Sequence, residues 1–121
     1  MRTCLVVDDS RAIRKIAIKM LSSFGFECDE AENGAVAFDK CNAKPPDVVL
    51  LDWNMPVLDG LSFLKKLRSS DITPQPKVLL CTTENEMSKV VEAISEGADE
   101  YIMKPFDEEI LFSKLKLIEA V

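Results

Sequence analysis

Three stretches of this chain, "TCLVVD" at 3–8, "DVVLL" at 47–51 and "KVLLCT" at 77–82, are nearly continuous in apolar residues. A strand with one face in water alternates apolar with polar, so an unbroken apolar run implies a strand covered on both faces. Two further segments, "FECDEA" at 26–31 and "DEYIM" at 99–103, complete five expected strands. Segments of helical period lie between them. Strand and helix in alternation predict parallel strands with right-handed crossovers, hence an α/β fold whose sheet is sandwiched by helices.

The helix boundaries can be read from capping chemistry. Ser10 is suited to cap a helix running from 11 to about 24, with Ile13, Ile16, Ala17, Met20 and Leu21 along its inner side. Gly25 then stops it in a left-handed conformation. Asn33 caps a second helix, Gly60 opens a third, and Asn85 caps a fourth that Gly97 ends. Asp107, Glu108 and Glu109 suit the positive start of a fifth helix. On that helix Ile110, Leu111, Leu115 and Ile118 form the expected core stripe, and Phe112 falls outside it, as an exposed aromatic or a partner contact.

Composition narrows the function. With 121 residues, 47% hydrophobic and 30% charged, the chain suits one globular domain. A formal charge of -6 repels phosphate backbones, which argues against nucleic acid as a partner. No apolar run approaches the ~20 residues that cross a bilayer, and "MRTCLVVDD" reaches charge too soon for a signal sequence, so no membrane role and a cytoplasmic location are expected. Cys4, Cys28, Cys41 and Cys81 form no C-x-x-C pair and read as reduced core thiols. There is no histidine, so chemistry must use carboxylate, hydroxyl or lysine.

The polar residues fall where the strands end. Asp8 and Asp9 close the first strand, Asp52 the third, Thr82 the fourth and Lys104 the fifth. An open parallel sheet gathers these carboxyl ends along one edge, where such folds bind ligands. Three carboxylates together need a cation, and an all-oxygen donor set without histidine or thiolate points to a hard ion such as Mg2+. Lys104 and the Thr82 hydroxyl can each meet a phosphoryl oxygen, and Asp52, at the centre, can serve as a carboxylate nucleophile that accepts a phosphoryl group.

With "VDDS" around Asp8 and Asp9, "LLDWNMPVLDG" around Asp52, Thr82, and "YIMKPF" around Lys104 and Pro105, the whole chain resembles the receiver domain of two-component response regulators, of the CheY-like kind. The resemblance implies a five-stranded parallel sheet in order 2-1-3-4-5 flanked by five helices, the flavodoxin/CheY-like fold. It also implies that Asp52 is the phosphorylation site, and that Asp9 and Asp52 ligate Mg2+ directly, the Asn54 backbone carbonyl is a third ligand and Asp8 acts through water. Thr82 and Lys104 then bind the phosphoryl group and pass on the change, Tyr101 is either the aromatic that turns inward on activation or a half-buried strand residue, and the Lys104–Pro105 bond is cis. In the family the positions of Asn54 and Glu84 face the hydrolytic water; neither is a well-placed base, and Thr83 is bulkier than the alanine or glycine often found there.

Only Val121 is left after the fifth helix, so a single receiver domain over 1–121 without an effector domain is expected, with output through protein binding. The family's usual output surface is helix 4, strand 5 and helix 5, here with Lys89, Tyr101, Lys114 and Lys116 and with Phe112 as a further candidate; the phosphoryl donor would be a histidine kinase or a histidine phosphotransfer protein. Chemotaxis is one pathway that fits. Haloacid-dehalogenase-like Mg2+ phosphatases share the residue types but carry a second Asp two residues after the nucleophile, where this chain has Asn54. A receiver-like adaptor that takes no phosphate and a flavodoxin-like cofactor binder are further alternatives. Retention of all five site residues argues against the first, and the acidic mouth against the flavin phosphate of the second.

Overall fold

The apolar runs became strands buried on both faces. The computed structural model describes residues 2–53, 55, 57–83 and 87–121, with Met87 by its backbone alone. Along these residues the order is β1 (Thr3–Val7), α1 (Arg11–Ser23), β2 (Glu27–Ala31), α2 (Gly34–Ala43), β3 (Val48–Asp52), α3 (Gly60–Arg68), β4 (Lys77–Thr82), α4 (Met87–Ser95), β5 (Glu100–Met103) and α5 (Glu108–Leu117). The strands pair in parallel in the order β2-β1-β3-β4-β5.

Alternate strand residues feed two cores. Leu5, Val7, Val49, Leu51, Val78 and Leu80 pack with Ala37 and Cys41 of α2, Phe63, Leu64 and Leu67 of α3, and Ala93 of α4. Cys4, Val6, Val48, Leu50, Leu79 and Ile102 point the other way, onto Ala17 and Leu21 of α1 and Leu111 and Leu115 of α5. Burial on both sides explains why β1, β3 and β4 carry no polar alternation.

The caps follow the expected chemistry. Ser10 accepts from the Ile13 N–H at 3.3 Å, Asn33 from Val36 at 2.9 Å and Asp107 from Ile110 at 2.8 Å. Asp59, not singled out from sequence, caps α3 through the Ser62 N–H at 2.8 Å. Gly25 and Gly97 sit at φ 92° and 112°, the left-handed region expected after helix ends. The Asn85 cap lies outside the described residues.

Two apolar stripes need correction. Ile13 and Ile16, expected on the inner side of α1, are 39% and 54% exposed. The helix instead turns Arg14 inward, because its guanidinium finds partners on the half-exposed Glu30 carboxylate and on the Asp8 carbonyl. On α5 Leu111, Leu115 and Ile118 are buried as expected, whereas Ile110 in the first turn is exposed.

Candidate functional site

The carboxyl ends of β1 and β3 are neighbours in the sheet, and the chain leaves them in opposite directions, so a crevice opens between them. Asp8 follows β1 directly, Asp52 is the last residue of β3, Thr82 the last of β4, and Lys104 follows β5. Strand pairing therefore brings all of them to one edge. Gly60 approaches the end of β3 so closely that a Cβ on it would lie 2.6 Å from the Asp52 carbonyl oxygen. Only glycine permits that approach, so Gly60 fixes where α3 begins relative to Asp52.

Lys104 holds the site together. Its Nζ donates to Asp52 Oδ1 at 2.9 Å and to Asp8 Oδ2 at 3.2 Å, while its backbone N–H donates to the Thr82 carbonyl at 2.7 Å. The Lys104–Pro105 bond is cis, as the resemblance implies; a second cis bond, Thr73–Pro74, had no counterpart in the sequence reading. Asp8 is buried, and its Oδ1 accepts from the Ser10 N–H at 2.9 Å. Asp9 is exposed, and one oxygen from each of Asp8, Asp9 and Asp52 lies within 4.8 Å of the others.

One lysine among three acids leaves a negative excess. Burial pushes the Asp52 carboxyl above its ordinary range; Lys104 pulls it back, and the charges of Asp8 and Asp9 push it up further. Burial alone would lower Lys104, but its bond to Asp52 and the two carboxylate charges carry it above the usual value, so the lysine stays an ammonium. Cys81, beside the site, is raised by burial and by the same acids, and so is no thiolate ligand. The available donors are carboxylate oxygens, a set that fits a hard divalent ion such as Mg2+ and not a soft one.

The remaining residues divide into groups. Thr82 is buried, with its hydroxyl donating to the Thr83 carbonyl at 3.3 Å, and Thr83 itself is exposed. Asn54, Pro56 and Glu84, and with them the Asn54 carbonyl ligand and two positions expected to tune hydrolysis, lie outside the described residues. Tyr101 is half-buried against the α2–α4 core, with Lys114 Nζ 4.3 Å above its ring and 3.6 Å from Glu100. Lys89 sits 5.9 Å from the Trp53 ring centroid. Phe112 belongs to another side, edge-on to Phe24 at 5.1 Å, with Lys116 5.9 Å from its ring.

The sheet order and the acid crevice define a receiver-type site, and the comparisons agree. The chain belongs to the response regulator receiver domain family, whose model matches residues 4–116. It is similar to chemotaxis protein CheY1 of Helicobacter pylori, at 40% identity over 116 residues that cover 94% of each chain. The phosphate regulon transcriptional regulatory protein PhoB of Pseudomonas aeruginosa is 33% identical over 117 residues, 97% of this chain and 51% of that one. Among solved structures, chemotaxis protein CheY4 of Vibrio cholerae matches with a TM-score of 0.88 at 34% identity, covering 96% and 97% of the two chains. Receiver domains of this type serve two-component signalling rather than turnover of small substrates, and they interact with histidine kinases or phosphotransfer proteins and with downstream targets. No helix among the described residues is long and apolar enough to cross a membrane.

Proposed function

We propose that the chain is a stand-alone response regulator, a single receiver domain over 1–121, that accepts a phosphoryl group on Asp52 from a phosphohistidine donor. The observation that carries this reading is the Lys104 ammonium held between Asp52 and Asp8 at 2.9 and 3.2 Å. It keeps a desolvated carboxylate charged while leaving the other Asp52 oxygen for the incoming phosphorus. An Asp52 oxygen forms the new bond to phosphorus as the phosphorus–nitrogen bond of the donor breaks, and the electron pair stays on the imidazole. Lys104 remains within reach of the transferred oxygens, and the Thr82 hydroxyl, held among the described residues by a 3.3 Å contact with the Thr83 carbonyl, is available to turn towards them.

Asp8, Asp9 and Asp52, with the Asn54 carbonyl, would hold Mg2+, which when bound supplies positive charge for the transferred oxygens. Asn54, Thr83 and Glu84 would set the lifetime of the phosphoryl group, with no general base among them suited to rapid hydrolysis. The switch would run from Thr82 to Tyr101, whose half-buried ring already rests on the core. The output surface would comprise α4, β5 and α5, where Lys89, Tyr101, Lys114 and Lys116 lie; Phe112, which packs on Phe24, stands apart from it. Similarity over nearly the whole length of CheY1 supports the single-domain reading, a cytoplasmic location and a chemotaxis-like pathway.

The test is phosphorylation of the full chain by acetyl phosphate or a phosphohistidine protein with Mg2+, followed by intact mass. One phosphoryl group is expected on the wild type and none on Asp52→Asn. Undiminished labelling of the variant would refute Asp52 as the acceptor. Rapid multiple turnover of a small phosphoester by the wild type would restore the phosphatase alternative.

A further inference from the structure

Arg14 has no role in the phosphoryl reading, yet it reaches the acid pair from behind. Its guanidinium is largely enclosed, with the side chain 11% exposed. Nε donates to Glu30 Oε1 at 2.6 Å, and Nη1 to the backbone carbonyl of Asp8 at 2.7 Å. The Glu30 end is anchored in turn, since Lys40 Nζ donates to the Glu30 carbonyl at 2.7 Å and to Asp29 Oδ1 at 2.9 Å.

Asp8 is thus held at every polar atom. Its N–H donates to the Ala31 carbonyl at 3.1 Å, its carboxylate takes Ser10 and Lys104, and its carbonyl takes Arg14. That carbonyl belongs to the peptide that joins Asp8 to Asp9. A peptide unit is planar, so fixing its oxygen fixes the direction in which Asp9 leaves. Asp9 needs such support, because it is exposed and no hydrogen bond or ion pair among the described residues holds its carboxylate. Even so, that carboxylate lies within 4.8 Å of those of Asp8 and Asp52.

We propose that Arg14 is a positioning residue for the metal site, which locks the Asp8–Asp9 peptide and so keeps the Asp9 carboxylate in the cluster; this rests on the Mg2+ reading given above. The sign of its effect separates position from charge. A cation behind the site opposes a divalent ion, so if charge were all that mattered, removing Arg14 would tighten Mg2+. If Arg14 acts by position, removing it loosens Mg2+. Lysine would retain the charge and lose the fork, since one ammonium replaces two donors that diverge to Asp8 and Glu30.

The experiment is Mg2+ titration of the full chain by calorimetry and by Trp53 fluorescence, for wild type, Arg14→Met and Arg14→Lys. Each is measured well below its own unfolding transition in EDTA, so that loss of fold does not enter. Both variants are expected to raise the Kd about tenfold, as loss of a group that orients a metal ligand typically does. A Kd unchanged or lowered in Arg14→Met would overturn the proposal, even if its Tm falls, because a merely structural arginine moves only the Tm. Failure of the wild type to bind Mg2+ would overturn the Mg2+ reading itself; normal wild-type binding with an unaffected Arg14→Met overturns only the role of Arg14.

Discussion

The acid cluster is built at the expense of stability, and Asp9→Asn measures by how much. One oxygen from each of three acids lies within 4.8 Å of the others, while Lys104 Nζ is bonded, among the described residues, to Asp8 and Asp52 and not to Asp9. Two unit charges at that spacing repel by about 3.5 kcal/mol at an effective dielectric of about 20, and by about 0.9 kcal/mol in bulk water. Asp9 is exposed, so the lower figure governs, and the nearby ammonium offsets part of the remainder. Neutralising Asp9 should therefore stabilise the metal-free protein by about 1 kcal/mol, or roughly 3 to 5 °C for a chain of this size. Mg2+ should reverse the order. The wild type gains about 1.4 kcal/mol at ten times its Kd, whereas Asp9→Asn, lacking a ligand, gains much less. Thermal unfolding of both proteins in EDTA and in Mg2+ is the assay. An Asp9→Asn protein less stable than wild type in EDTA, or one with the same Mg2+ shift, would refute the account of the acids as a strained cation site.

Other consequences concern the scaffold. Gly60→Ala would set a Cβ 2.6 Å from the Asp52 carbonyl and 3.0 Å from the Trp53 Cα, so it should cost about 2 kcal/mol in urea unfolding and shift Trp53 fluorescence. Val57, 80% exposed, adopts φ 70°, a region that penalises β-branched residues; Val57→Asn should raise stability by about 0.5 to 1 kcal/mol. Burial pushes the fully enclosed Cys41 thiol up to about 11 from 9.0. The unfolded thiol ionises first, so stability is intact below about pH 9 and falls as pH rises towards about 11. Urea midpoints across that window should fall less in Cys41→Ala than in the wild type, and at pH 8 a thiol reagent should find Cys28 alone in the native state.

How far the sequence could be read depended on where the information lay. Continuous apolar runs mark doubly covered strands whatever else the chain does, and a polar residue at the end of such a run must emerge at the sheet edge, which located Asp8, Asp52 and Thr82. Helix faces were less legible, because apolar spacing cannot register a charged residue whose partners lie on other elements. Ile13 was the natural inward residue until Arg14 found Glu30, sixteen positions on, and the Asp8 carbonyl. The difference between Asp8 and Asp9 was equally hidden. They are identical neighbours, yet one is buried with Ser10 and Lys104 as partners and the other is exposed, with no bond to its carboxylate among the described residues. That asymmetry is what a cation site requires. An acid fully satisfied by protein donors has little to gain from a metal, and one wholly free has no fixed place. Asp8 secures the scaffold, Asp52 remains half-satisfied by Lys104, and Asp9 supplies charge that no lysine or arginine among the described residues pairs with, which an added cation would neutralise.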